Sequence, residues 1–186
     1  MRSVPASAIA IATDMLKTLT CLTGPAPIPA LDAFMEIQDT ALKAFIARLR
    51  GEEDIYPMFL FVDPRGRHWS MMPTYEDKDI EWLTFKATAF ERGAVLYAVI
   101  TSAWRSGLLT PEQFETYQRE GWTPELLKHR IEVAEVVAGD RERTLMRDYK
   151  MIRANGIVRL EEIPAPPEEQ RIGRMFDMLV PRTAKH

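Results

Sequence analysis

The stretch Ile131-Glu132-Val133-Ala134-Glu135-Val136-Val137-Ala138, followed by residues 145–153 and 157–163, decides the fold. Each run is rich in apolar residues, β-branched above all in the first and last, the composition of strands that pack on a core. Gly139-Asp140 separates the first two runs and Asn155-Gly156 the last two. Asn-Gly is a strong hairpin signal, because both positions tolerate the left-handed backbone that a tight turn needs. Three consecutive strands joined by short turns pair antiparallel. Pro164, Pro166 and Pro167 end the region, since proline brings no backbone donor to a ladder.

Working outward, residues 94–101 form a continuous apolar run, which predicts a central strand covered on both faces. Residues 58–62 and 67–72 flank Asp63-Pro64-Arg65-Gly66 and read as a hairpin. Leu31, Phe34, Ile37, Ala41, Leu42, Phe45, Ile46 and Leu49 recur at helical steps and predict a helix over 31–50, with Gly51 after it. A second helix is expected over 76–92, where Ile80, Leu83, Phe85, Ala87 and Phe90 are apolar. Thr110-Pro111-Glu112-Gln113 starts a third, with Thr as cap and Pro in the first turn. A terminal helix is expected over 168–179, with Ile172, Met175, Phe176 and Leu179 on one side.

The organisation follows. Residues 1–23 hold an N-terminal helix and 24–30 a Pro-rich linker. Residues 31–163 form the core with a helical insert at 105–128, and 164–186 carry the C-terminal helix and tail. The fold class is α+β, a largely antiparallel sheet of about five to six strands packed with helices.

Composition sets the outer bounds. With 186 residues, 46% hydrophobic and 27% charged, the chain suits one globular domain. The net charge of −3 disfavours a dedicated nucleic-acid binder. Cys21 is the only cysteine, so neither an internal disulfide nor a cysteine zinc site is expected. No run of 18 apolar residues occurs, so no membrane association is expected and a cytoplasmic location is. Asp14 and Lys17 interrupt the apolar stretch Ala8-Ile9-Ala10-Ile11-Ala12, which reads as an amphipathic helix rather than a secretion signal.

The search for chemistry returns few residues. His68, His129 and His186 show no metal-ligand spacing, and glycine-rich nucleotide loops are missing, so no cofactor is expected. Ser102 lies after the central strand, and with Arg105, His129 and Glu132 it is the candidate set for an enzyme site. Glu132 and Glu135 fall on opposite faces of an apolar strand. Burial of either carboxylate calls for a partner, for which Arg105, Arg147 and Arg153 are the candidates. Arg141, Arg143, Arg147 and Arg153 share strand parity and form a candidate basic face for a phosphate backbone, diluted by Glu142 and Asp148. Trp104, Phe114, Tyr117, Arg119 and Trp122 cluster in or beside the insert, the composition that protein interfaces favour.

Met58-Phe59-Leu60-Phe61-Val62, Gly93-Ala94 at a helix end, Ser102-Ala103-Trp104 and Arg130-Ile131-Glu132-Val133 together resemble a group of small uncharacterised bacterial and phage proteins. In that group a similar strand ends in Glu-Ala-Trp and an Arg-x-Glu-Val strand follows. The resemblance covers residues 32–163. Ser102 stands where the group often has Glu, which weakens any carboxylate site there. The resemblance implies a mobile-element or accessory setting and carries no activity.

The leading expectation is therefore a non-enzymatic interaction protein from a phage, plasmid or accessory region. Its partner would be another protein or a protein–nucleic-acid assembly, and counter-defence is one such role. An enzyme built on the Ser102 set is the alternative, and direct nucleic-acid binding through the arginines is the third reading.

Overall fold

The computed structural model describes residues 27–50, 55–74, 77–106, 110–121, 123, 126–164 and 178–179. The expected first helix, residues 24–26 of the linker and most of the terminal helix lie outside the described residues. Six strands form one sheet: β1 (Met58–Val62), β2 (His68–Met71), β3 (Leu96–Ser106), β4 (Arg130–Gly139), β5 (Thr144–Ala154) and β6 (Ile157–Ile163). Their order is β2-β1-β3-β4-β5-β6, and every neighbouring pair is antiparallel. The helices are α1 (Leu31–Ile46), α2 (Lys78–Glu91) and α3 (Pro111–Glu120), and a 3₁₀ turn, Leu126–His129, leads into β4. The fold is α+β, as the hairpin signals predict.

The ladder separates two cores. Met58, Leu60, Val62, Ala98, Ile100, Ala134, Val136 and Tyr149 pack with Leu31, Phe34, Met35, Leu42 and Ile46 of α1. Phe59, Phe61, Tyr97, Val99, Val137 and Met146 pack on the other face with Phe85 and Ala89 of α2, joined by Met178 and Leu179. The run 96–100 is buried throughout because β3 lies between β1 and β4 with both faces covered.

Three expectations shift. First, β3 does not stop at Thr101. Pairing with β4 carries it to Ser106, so Ser102 and Trp104 lie inside the strand rather than after it. The apolar run marks where burial ends, whereas the hydrogen-bonded ladder continues. Second, α1 ends at Ile46, and Arg50 forms an isolated bridge with Ile157 at the start of β6. Third, the buried stripe of α1 runs through Gln38 and Asp39 instead of Ile37, which is 42% exposed.

The turns follow their residue chemistry. Asp63 accepts from the Arg65 and Arg67 backbone N–H groups at 2.8 and 2.9 Å and from Arg67 Nε at 2.6 Å. Burial pushes the Asp63 carboxyl up, but these hydrogen bonds outweigh it and hold the group below its ordinary value. Between β5 and β6, Asn155 and Gly156 have φ of 53° and 72°. Both central residues are left-handed, the geometry of a two-residue hairpin turn with a primed twist. Gly156→Ala therefore lowers stability by about 1 kcal/mol through backbone strain alone, as open space surrounds that position. Denaturant titration of the two chains checks this.

Candidate protein-interaction surface

β3 and β4 pair from Tyr97 opposite Gly139 to Ser106 opposite Arg130. Trp104 sits opposite Glu132, on the face that carries α1. It is 57% exposed, although its backbone is locked in the ladder. The Arg130 guanidinium lies 4.7 Å from the centroid of the Trp104 ring. Arg153 grips Glu132 with both arms, Nε at 2.8 Å and Nη2 at 2.7 Å. One row thus crosses three strands, with an exposed indole, a cation stacked on it and a bidentate ion pair beside it. Such a row is pre-organised, so a ligand that docks there orders few side chains.

The connection between β3 and β4 carries α3 and the turn before β4. The Thr110 hydroxyl accepts from the Gln113 N–H at 3.3 Å, and Gln113 Oε1 accepts from the Thr110 N–H at 2.9 Å. This reciprocal cap starts α3 where the sequence predicts. Gln113 Nε2 also lies 3.1 Å from His129 Nε2, which ties the start of α3 to the turn before β4. Leu127 in that turn is 43% exposed. Tyr117 is half-buried on α3, and exposed Arg119 donates to Glu120 at 3.0 and 2.7 Å. The Phe114 side chain and all of Trp122 lie outside the described residues.

The enzyme candidates are engaged in structural contacts. Ser102 Oγ donates to the Ile55 carbonyl at 3.2 Å, His129 faces Gln113, and Glu132 is neutralised by Arg153. Arg105 holds a β3 position of opposite parity to Ser102, across from Ile131. These contacts contain no hydroxyl–imidazole–carboxylate relay. Among the described residues, no group of three His, Cys, Asp or Glu side chains is placed to hold a metal ion. Glu135 lies on the opposite face, 2% exposed, between Thr101 and Asp148 in the cross-strand register. Asp148 is fully buried there and engaged in interactions, so it is no part of the arginine surface it was expected to dilute.

The arginines meet carboxylates of the same chain. Arg143 pairs with Asp32, and Arg147 with Glu36 and, at 2.7 Å, with Asp39. Arg153 is held by Glu132, and Arg141 is exposed in the turn before β5. Arg141 and Arg143 precede Thr144, so the expected single strand face is broken by the turn. Asp32, Glu36 and Asp39 recur at helical steps along α1, and the arginines answer them along the β4–β5 hairpin. Three of the four cations are thereby neutralised locally, which removes most of the free positive charge a phosphate backbone needs.

Asp39 is the centre of this contact. It accepts from Lys43 Nζ at 2.8 Å, from Arg147 and from the Tyr149 hydroxyl at 2.5 Å. Burial pushes its carboxyl up, and the bonds from Lys43, Tyr149 and Arg147 more than reverse this, leaving it below the ordinary value. Burial, and then the bond to Asp39, pushes the Tyr149 phenol up. The Asp39 hydrogen bond likewise raises Lys43.

The described chain is thus a six-stranded antiparallel α+β protein with an exposed arginine-stacked tryptophan on its sheet. No family model, curated protein or solved structure matches it. No helix among the described residues is long and apolar enough to cross a membrane.

Proposed function

We propose that this protein acts by binding another protein, alone or within a protein–nucleic-acid assembly, through the surface built on Trp104 and Arg130. The observation that carries the reading is a tryptophan 57% exposed on a rigid ladder, with a guanidinium stacked on its ring. Tryptophan and arginine are the side chains that most often anchor protein interfaces. The local pairing of Arg143, Arg147 and Arg153 favours a protein surface over bare phosphate backbone as the partner. The likeness to small bacterial and phage proteins supports an accessory setting, counter-defence included.

Quantitative capture from host lysate tests this. The intact chain is expected to retain a stoichiometric partner, and Trp104→Ala to reduce capture by about tenfold or more. The same substitution should change stability by no more than about 1 kcal/mol, because it removes one exposed cation–ring contact. Equal capture by both chains, or no stoichiometric partner, argues against the reading.

A further inference from the structure

Strand β3 outruns β1. The Val62 carbonyl accepts from the Val95 N–H, so Val62 turns its backbone toward β3. The antiparallel register then sets Leu96, Ala98 and Ile100 facing β1, opposite Val62, Leu60 and Met58. There β1 ends, while β3 stays paired with β4 without a break as far as Ser106. The same alternation turns the N–H and C=O of Ser102, Trp104 and Ser106 toward the side that β1 has left. Ahead of Met58 the chain bends onto the α1 face, where Ile55 is buried in the core and its carbonyl takes the Ser102 hydroxyl. The Ser102 carbonyl accepts from the adjacent Thr101 hydroxyl at 3.2 Å. Among the described residues, no strand pairs with Trp104 or Ser106 on that side.

We propose that the partner meets this surface with an extended peptide segment, which adds a strand to the open edge of β3 beside Trp104. The inference rests on the partner reading above and names the form the partner takes there. Backbone chemistry selects the occupant. A row of outward N–H and C=O groups at strand spacing is matched by another extended backbone, which offers a donor and an acceptor at every second residue. The outer edges of the sheet suit this less. β2 is four residues long, and Arg50 already bridges the start of β6 at Ile157. At Trp104 the added strand also gains a side-chain contact, because its residue opposite Trp104 lies on the same face as the exposed indole. A branched or aromatic side chain fits best at that position. The open stretch from Ala103 to Ser106 is about 13 Å long, room for a few backbone hydrogen bonds. A peptide alone therefore binds weakly, with a Kd of about 10 μM or above.

Hydrogen exchange of the full chain, read amide by amide by NMR, gives the first test. The Trp104 amide should exchange about 100-fold faster than that of Ala103, whose N–H faces β4. Random peptides of about twelve residues, displayed on phage and selected on the full chain, are the probe. Selection should yield peptides that Trp104→Ala no longer retains. In each, N-methylation of alternate backbone nitrogens should lower affinity about tenfold or more, and methylation of the nitrogens between them should not. A bound peptide should slow exchange at Trp104. Ser106→Pro removes an outward N–H but no bond to β4, and should weaken peptide binding about tenfold. A Trp104 amide as protected as that of Ala103 in the free chain overturns the proposal, since another part of the chain then holds the edge. Failure to select any Trp104-dependent peptide, or peptides indifferent to the methylation pattern, overturns it as well. Those results leave capture of a folded partner through Trp104 standing, whereas capture that ignores Trp104→Ala removes the partner reading itself.

Discussion

Replacing Asp39 with alanine is expected to destabilise the protein by about 3 kcal/mol, because a buried acceptor of three donors is lost. The Asp39 side chain is 4% exposed, whereas Arg147 and Lys43 are 30% and 49% exposed. The two cations therefore regain water, and Arg147 also keeps Glu36. Tyr149 cannot turn to water, since it is 2% exposed, and without Asp39 its hydroxyl keeps only the neighbouring Lys43 ammonium. Tyr149→Phe alone should cost about 1.5 kcal/mol, and the double variant less than the sum, because the two share one bond. Urea titration of the four chains reads this directly. The pH dependence has a defined sign. Asp39 is held below its ordinary value, so its contribution is complete above the unfolded pKa of about 3.9 and is lost as pH falls through the lower folded value. Asp39→Asn should accordingly flatten the acid limb of the stability curve below about pH 4.

Gly139→Ala should cost about 3 kcal/mol, at the upper end for an overpacked core. Gly139 ends β4 opposite Tyr97, and the aromatic ring lies over it. A Cβ there would stand 2.5 Å from Tyr97 Cε1 and 2.7 Å from both Cζ and the hydroxyl oxygen. Tyr97 is 1% exposed and packs among Phe59, Phe61 and Val137, so the ring has no free direction in which to swing. Its hydroxyl also lies 3.3 Å from Thr144 Oγ1. The signature is non-additivity. In a Tyr97→Ala background the second substitution should cost about 2 kcal/mol less, because the clash has gone.

Strand positions were legible where a local signal coincided with the ladder. The Asn155-Gly156 turn and Pro164 bound β6 at Ile157–Ile163, the limits the sequence predicts. What escaped was whatever depends on register between strands. Trp104 was named as a candidate interface residue, yet Arg130, its stacking partner, lies 26 positions along the chain and meets it only through the β3–β4 pairing. Glu132 was expected to need an arginine, and Arg153 is one of the three named, but only the register selects it. Asp39 was invisible for a related reason: a buried acid at a helical step reads as solvent-facing until Arg147 and Tyr149 are known to lie above it. The apolar residues of α2 read as one helix, and burial divides them between two opposite faces, a split that composition alone does not reveal.

Side-chain footprinting of Trp104, in the free chain and with its captured partner, tests the central claim most directly. Trp104 is exposed in the free chain and should be readily oxidised there. In the complex its modification should fall about tenfold, while exposed Leu83 on the opposite face remains as reactive as before. Trp104 that stays equally reactive in a stoichiometric complex would contradict the assignment of this surface.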